Sequence, residues 1–97
     1  MSGLTLTLTE VLEATPDVEV IEQSRVILFN DEWHSFEEVI DQLILAINCS
    51  AKTAEEMAWT VHTQGQCEVF TGGMEDCLEV SAVLEAIELK TEIRFAS

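Results

Sequence analysis

Three side chains in this chain can accept hydrogen bonds at places where the backbone turns. Asn30 offers a carbonyl oxygen, Asp31 a carboxylate, and His62, when neutral, one ring nitrogen. An ammonium group has three N–H donors and no acceptor, so three acceptors converging from two elements suit it. Asn30 and Asp31 end the apolar run Val26–Phe29, and His62 stands in Val61-His62-Thr63-Gln64-Gly65. With apolar residues between them, the two fragments make a site for a cationic amine that carries an apolar side chain. The same residues also read as an ordinary turn, which Asn and Asp favour, and as a helix-end histidine facing the negative end of the dipole.

The elements that must position these groups follow from the hydrophobic pattern. Arg25–Asn30 reads as a buried strand, β-rich and continuous. Ser35 then starts a helix, with Glu38 three residues on to complete a capping box. Phe36, Val39, Ile40, Leu43 and Ile47 recur at helical spacing and face the core. Ser50 caps a second helix whose stripe is Ala54, Met57, Ala58 and Val61, and Gly65 ends it. Cys67–Thr71 is a short strand with Cys67, Val69 and Thr71 on one side, and Gly72-Gly73 is a turn. Met74–Glu88 is a third helix, with Cys77, Val80, Leu84 and Ile87 facing in. Leu89, Thr91, Ile93 and Phe95 then alternate with polar residues as a last strand. The order is β-α-α-β-α-β. It predicts an α+β fold, a small α/β sandwich in which a three-stranded antiparallel sheet carries three helices on one face. Phe36 and Val39 on the first helix, with Ala58 and Val61 on the second, can line a pocket. Trp33 and Trp59 fall off the core stripes, and tryptophan at such positions marks contact surfaces.

Composition narrows the function classes. The chain has 97 residues and a net charge of -15, from 19 acidic and 4 basic residues. That balance excludes nucleic acid, whose phosphates need clustered Lys and Arg, and it disfavours an anionic membrane surface. It favours cationic ligands or basic partner surfaces. Cys49, Cys67 and Cys77 form no CxxC pair, and with His34 and His62 they match no zinc spacing, so neither metal nor cofactor is expected. Reduced thiols, no basic-then-apolar leader and no stretch able to span a bilayer point to a cytoplasmic protein. Residues 1–24 read as an N-terminal extension, either a loose leader or an extra edge strand built on Leu4, Leu6 and Leu8 with Val18 and Val20. Residues 25–97 read as the core domain.

The segment VILFNDEWHSFEEVIDQL, followed by TVHTQG and then VFT, resembles the ClpS adaptors of the bacterial N-end rule. The resemblance covers the chain from about Arg25 onward, with three short motifs in the family's order. It implies the three-strand, three-helix sandwich already read from the pattern. It also implies an adaptor without enzymatic activity, which binds a substrate's free N-terminal Leu, Phe, Tyr or Trp and hands it to the AAA+ unfoldase ClpA or ClpC. By resemblance, Asn30 and His62 contact the α-ammonium, with Asp31 acting directly or through water. Leu28, Phe29, His34, Phe36, Val39, Ala58 and Val61 line the side-chain pocket. Four departures bear on specificity. Glu32 replaces a second Asp, and His34-Ser35 stands where Thr-Pro is common. Phe36 and Ala58 each stand where the family usually has Met. Gly72-Gly73 replaces Ala-Glu, and the family's basic position in the following helix falls near Cys77 or Leu78. The alternatives from other classes are a thiol enzyme using Cys67 or Cys49 with His62, and an interaction domain of the same fold that binds a folded partner without reading an amine.

Overall fold

The apolar run after Ser24 becomes the middle strand of the sheet. In the computed structural model, which describes residues 23–95, β1 spans Ser24–Phe29, α1 Phe36–Ile47, α2 Ala51–Gln64, β2 Gln66–Gly72, α3 Met74–Glu85 and β3 Thr91–Phe95. The strand order is β2-β1-β3, antiparallel on both sides. Both edges of β1 are paired, and Val26, Ile27 and Leu28 are all buried. Residues 1–22 lie outside the described part, and with them the proposed leader or edge strand. Ser24, read as the end of that extension, is the fully buried first residue of β1.

Local chemistry sets the helix ends. The Ser35 hydroxyl accepts from the Glu38 N–H at 3.1 Å while the Glu38 carboxylate accepts from the Ser35 N–H at 2.8 Å, so the capping box forms. Ser50 caps α2 through the Thr53 N–H at 3.1 Å, and Gly65 closes it at φ 90. Between α1 and α2 the chain reverses through Asn48 at φ 55, a left-handed conformation that Asn tolerates. Val26 and Leu28 of β1 meet Leu43 of α1, Val61 of α2 and Leu84 of α3 in one core cluster. Helix α3 stops earlier than its pattern predicts, at Glu85 rather than Glu88: the Ala86 and Glu88 N–H groups bond three residues back, to Val83 and Glu85, and Glu88 turns left-handed at φ 69. The carbonyl of Ile87 lies beyond the helix end and is free for another donor.

One strand reading is corrected. The pairing of β1 with β2 slips between Val26 and Ile27, so Val69 stands as an extra residue opposite them. Such a bulge shifts the side-chain alternation of its strand by one place. Phe70 therefore packs against the core, and Thr71, expected on the same side as Cys67 and Val69, is exposed while Val69 is buried. Among the described residues no helix is long and apolar enough to cross a membrane.

Candidate functional site

Two backbone hydrogen bonds fix the turn after β1, one to the end of α2 and one to the residue before β3. The Asn30 N–H donates to the Gly65 carbonyl at 2.9 Å, and the Phe29 N–H donates to the Lys90 carbonyl at 3.0 Å. Gly65 itself donates to Val61 at 2.9 Å as the helix cap. The first of these bonds ties the Asn30-Asp31 fragment to the Val61–Gly65 fragment directly. Between them opens a cavity of about 490 Å³, lined by Asn30, Asp31, Glu32, His34, Phe36, Val39, Ala58, Trp59, Val61 and His62. That volume suits one large side chain with its backbone termini. Ala58 and Val61 are buried at its base, and Asn30 and His62 stand exposed at its rim.

The loop from Asp31 to His34 is built around one carboxylate. Asp31 Oδ1 accepts from the Trp33 N–H at 2.9 Å and the His34 N–H at 3.0 Å, and Oδ2 meets His34 Nδ1 at 2.7 Å. The other ring nitrogen of His34, Nε2, lies 2.5 Å from the Ile87 carbonyl. Both ring nitrogens thus face acceptors, which the imidazolium form satisfies with two donors. The Ile87 carbonyl raises the His34 pKa from its ordinary 6.5. Burial opposes this, and Asp31 and the Glu38 charge add to it. For Asp31 burial works upward, but the bonds from His34 and Trp33 outweigh it and leave its pKa below the ordinary 3.8. Three donors on a carboxylate with about four acceptor positions leave one position, on Oδ2, for anything else.

Eight of the ten residues expected at a site line this cavity, and two do not. Leu28 is wholly buried in the core cluster beneath the sheet's helical face. Phe29 points to the other face, where Lys90 Nζ stands 5.4 Å and the Arg94 guanidinium 5.9 Å from its ring centroid. Period-two alternation separates Phe29 from Leu28 and Asn30, and the motif did not reveal which side held the pocket. His34 lines the cavity with its ring already engaged on both nitrogens, so it supplies wall and not acceptor. Glu32 and Trp59 line the cavity without having been expected there. Trp59 lies three residues before His62 on α2, which puts both on one helical face. Their rings are 6.0 Å apart, tilted 42°, and Trp59 meets Phe36 edge-on at 6.4 Å and 82°. That spacing was the available signal.

The thiols lie outside the cavity. Burial pushes the Cys67 pKa up, with the Glu68 charge adding to it, which is the wrong direction for a nucleophilic thiolate. Burial also raises the Cys77 pKa. Among the described residues no three His, Cys, Asp or Glu side chains come together as a metal site would need.

The family described as ATP-dependent Clp protease adaptor protein ClpS matches residues 21–92. Human E3 ubiquitin-protein ligase UBR2 is 37% identical over 82 residues, 81% of this chain and 5% of the ligase. Drosophila melanogaster E3 ubiquitin-protein ligase UBR1 is 32% identical over 59 residues, 61% of this chain and 3% of the ligase. The chain thus spans only a small fraction of the curated relatives it matches. Agrobacterium tumefaciens ClpS2, solved bound to L-phenylalaninamide, shares the fold at a TM-score of 0.73 with 17% identity, over 77% of this chain and 98% of that one. The motifs, the three-strand and three-helix sandwich and the family match over most of its length together establish that this chain belongs to the ClpS family.

Proposed function

We propose that the chain is an adaptor that binds the free N-terminal residue of a substrate, Leu, Phe, Tyr or Trp, and passes that substrate on for degradation without a catalytic step of its own. The observation that carries this reading is the cavity, with acceptors at its rim and apolar walls below. The ammonium donates to the Asn30 carbonyl, to a ring nitrogen of His62 and to the one position left on Asp31, while the side chain rests on Val39, Ala58 and Val61 behind Phe36. L-Phenylalaninamide, the ligand of the Agrobacterium relative, joins a free α-amine to a benzyl group and belongs to the same chemical class. Burying a Leu or Phe side chain contributes roughly 1.5–3 kcal/mol, and each hydrogen bond to a charged group about 1.5–3 kcal/mol. Less the cost of ordering a peptide end, these reach micromolar affinity, about -8 kcal/mol. That strength lets an adaptor release what it carries.

The family description, a Clp protease adaptor, supports a Clp protease as the destination, and the receiver we propose is its unfoldase, ClpA or ClpC, in the cytoplasm. The likeness to a segment of two ubiquitin ligases supports a second receiver for the same pocket, a ubiquitin-transferring partner. The deciding measurement is peptide binding by calorimetry. A peptide beginning with Phe binds in the micromolar range, and its N-acetylated twin, which lacks the charge and two donors, loses at least about a hundredfold. Equal affinity for the twins makes the chain an interaction domain of this fold that does not read an amine.

A further inference from the structure

The Phe36–Trp59 wall has a second side. Beyond it the surface continues as a more open groove lined by Phe36, Lys52, Glu55, Glu56, Trp59 and Thr60. We propose that this groove seats the second residue of the substrate and selects a long cationic side chain there, Arg before Lys. The proposal rests on the amine reading of the first cavity and extends it from one residue to two.

The two cavities share Phe36 and Trp59. Adjacent Cα atoms of a peptide lie ~3.8 Å apart, and successive side chains of an extended chain point to opposite sides. A peptide whose first side chain fills the cavity on one side of the wall therefore offers its second to the groove on the other. Trp59 is 60% exposed, so its indole is open to a cation stacked on it. Glu55 and Glu56 precede Trp59 by four and three residues on α2, one turn away on the same face. The ion pairs of the described residues are Arg25–Glu68, His34–Asp31 and Arg94–Glu92, so neither glutamate is committed. Lys52 stands one turn further from Trp59 and offsets one of the two carboxylates, which leaves the groove net acidic. A guanidinium fits better than an ammonium, because it is planar, stacks on indole and is weakly hydrated. An acidic second residue meets uncompensated carboxylates.

The test uses the full chain and C-terminally labelled peptides that begin with Phe and differ only at the second residue, read by fluorescence polarisation. Arg binds about three- to tenfold tighter than Gln, and Glu binds more weakly than Gln. The Arg preference falls toward one in the double variant Glu55→Gln/Glu56→Gln, which still binds the Gln peptide, and in Trp59→Ala. It survives in Glu75→Gln/Glu79→Gln, which removes the same charge from α3. Equal affinity for Arg and Gln in the wild type overturns the proposal. So does an equal gain when Arg is moved to the sixth position, or an equal loss in the α3 variant, since either makes the preference a property of the whole acidic surface. The acetylated Arg peptide separates the two claims. If only the second-residue preference is missing, the groove falls and the amine site stands. If acetylation changes nothing, both fall.

Discussion

His34 holds two acceptors at once, the Asp31 carboxylate and the Ile87 carbonyl, and so couples the turn after β1 to the end of α3. A group whose pKa is raised on folding stabilises fully below its unfolded value and loses that contribution as pH climbs through the folded value. His34 therefore supports the fold below about 6.5 and less at alkaline pH. Asp31, whose pKa is lowered, contributes above its ordinary 3.8 and fails as the pH drops further. Thermal unfolding followed from about pH 5 to about pH 9 should show the melting-temperature advantage of wild type over His34→Gln widest near the acid end and shrinking upward. A gap that stays constant would mean a ring already neutral in the fold. Phe36 is the other residue with a proposed task, that of shaping the cavity mouth. It is 37% exposed at the cavity mouth and braced by Trp59. Phe36→Ala should admit peptides beginning with Ile or Val, whose branched side chains are stiff at χ1. It should weaken Leu peptides about three- to tenfold through lost apolar contact. Unchanged rejection of Ile and Val would make Phe36 a packing residue only.

Among the elements, the end of α2 carries the most consequence. Gly65 sits at φ 90, caps the helix and accepts the Asn30 N–H, so one residue orients both halves of the proposed amine site. A Cβ added there meets nothing within 4 Å, which isolates the conformational cost from any clash. Gly65→Ala should cost about 1–2 kcal/mol in urea unfolding, and peptide affinity should fall with it as Asn30 and His62 lose their mutual placement. Loss of stability with affinity intact would show that the Asn30–Gly65 bond does not position the site. The bulge at Val69 acts in the middle of β2, turning Phe70 inward and leaving Thr71 to bond Glu68 at 2.6 Å.

At the scale of the molecule the charge of -15 dominates. It sets a field that draws cationic peptide ends toward the domain and raises encounter rates, and salt screens it within a Debye length of ~10 Å at 0.1 M. Stopped-flow association of a peptide beginning Phe-Arg should slow several-fold between about 50 mM and about 500 mM salt, while dissociation changes less. A peptide with a glutamate-rich tail should show the opposite salt trend. If salt acts mainly on dissociation, the contacts formed in the bound state carry the electrostatics and long-range steering does not.

Much of this protein follows from local rules that a sequence states directly. The Ser35–Glu38 box, the Ser50 cap, the Gly65 stop and the helical stripes depend on residues a few places apart, so they could be read without coordinates, and so could the β-α-α-β-α-β order. Asn30, Asp31 and His62 were legible as acceptors because their side-chain chemistry is intrinsic. What required the fold was every relation across distance. That Leu28 belongs to the core and Phe29 to the far face depends on where β1 sits between its neighbours. That Trp59 walls the cavity depends on Phe36 lying opposite it, and the committed state of Asp31 depends on a carbonyl 53 residues beyond His34. Local spacing determines which face a side chain takes on its own element. Only the packing of elements decides what that face meets.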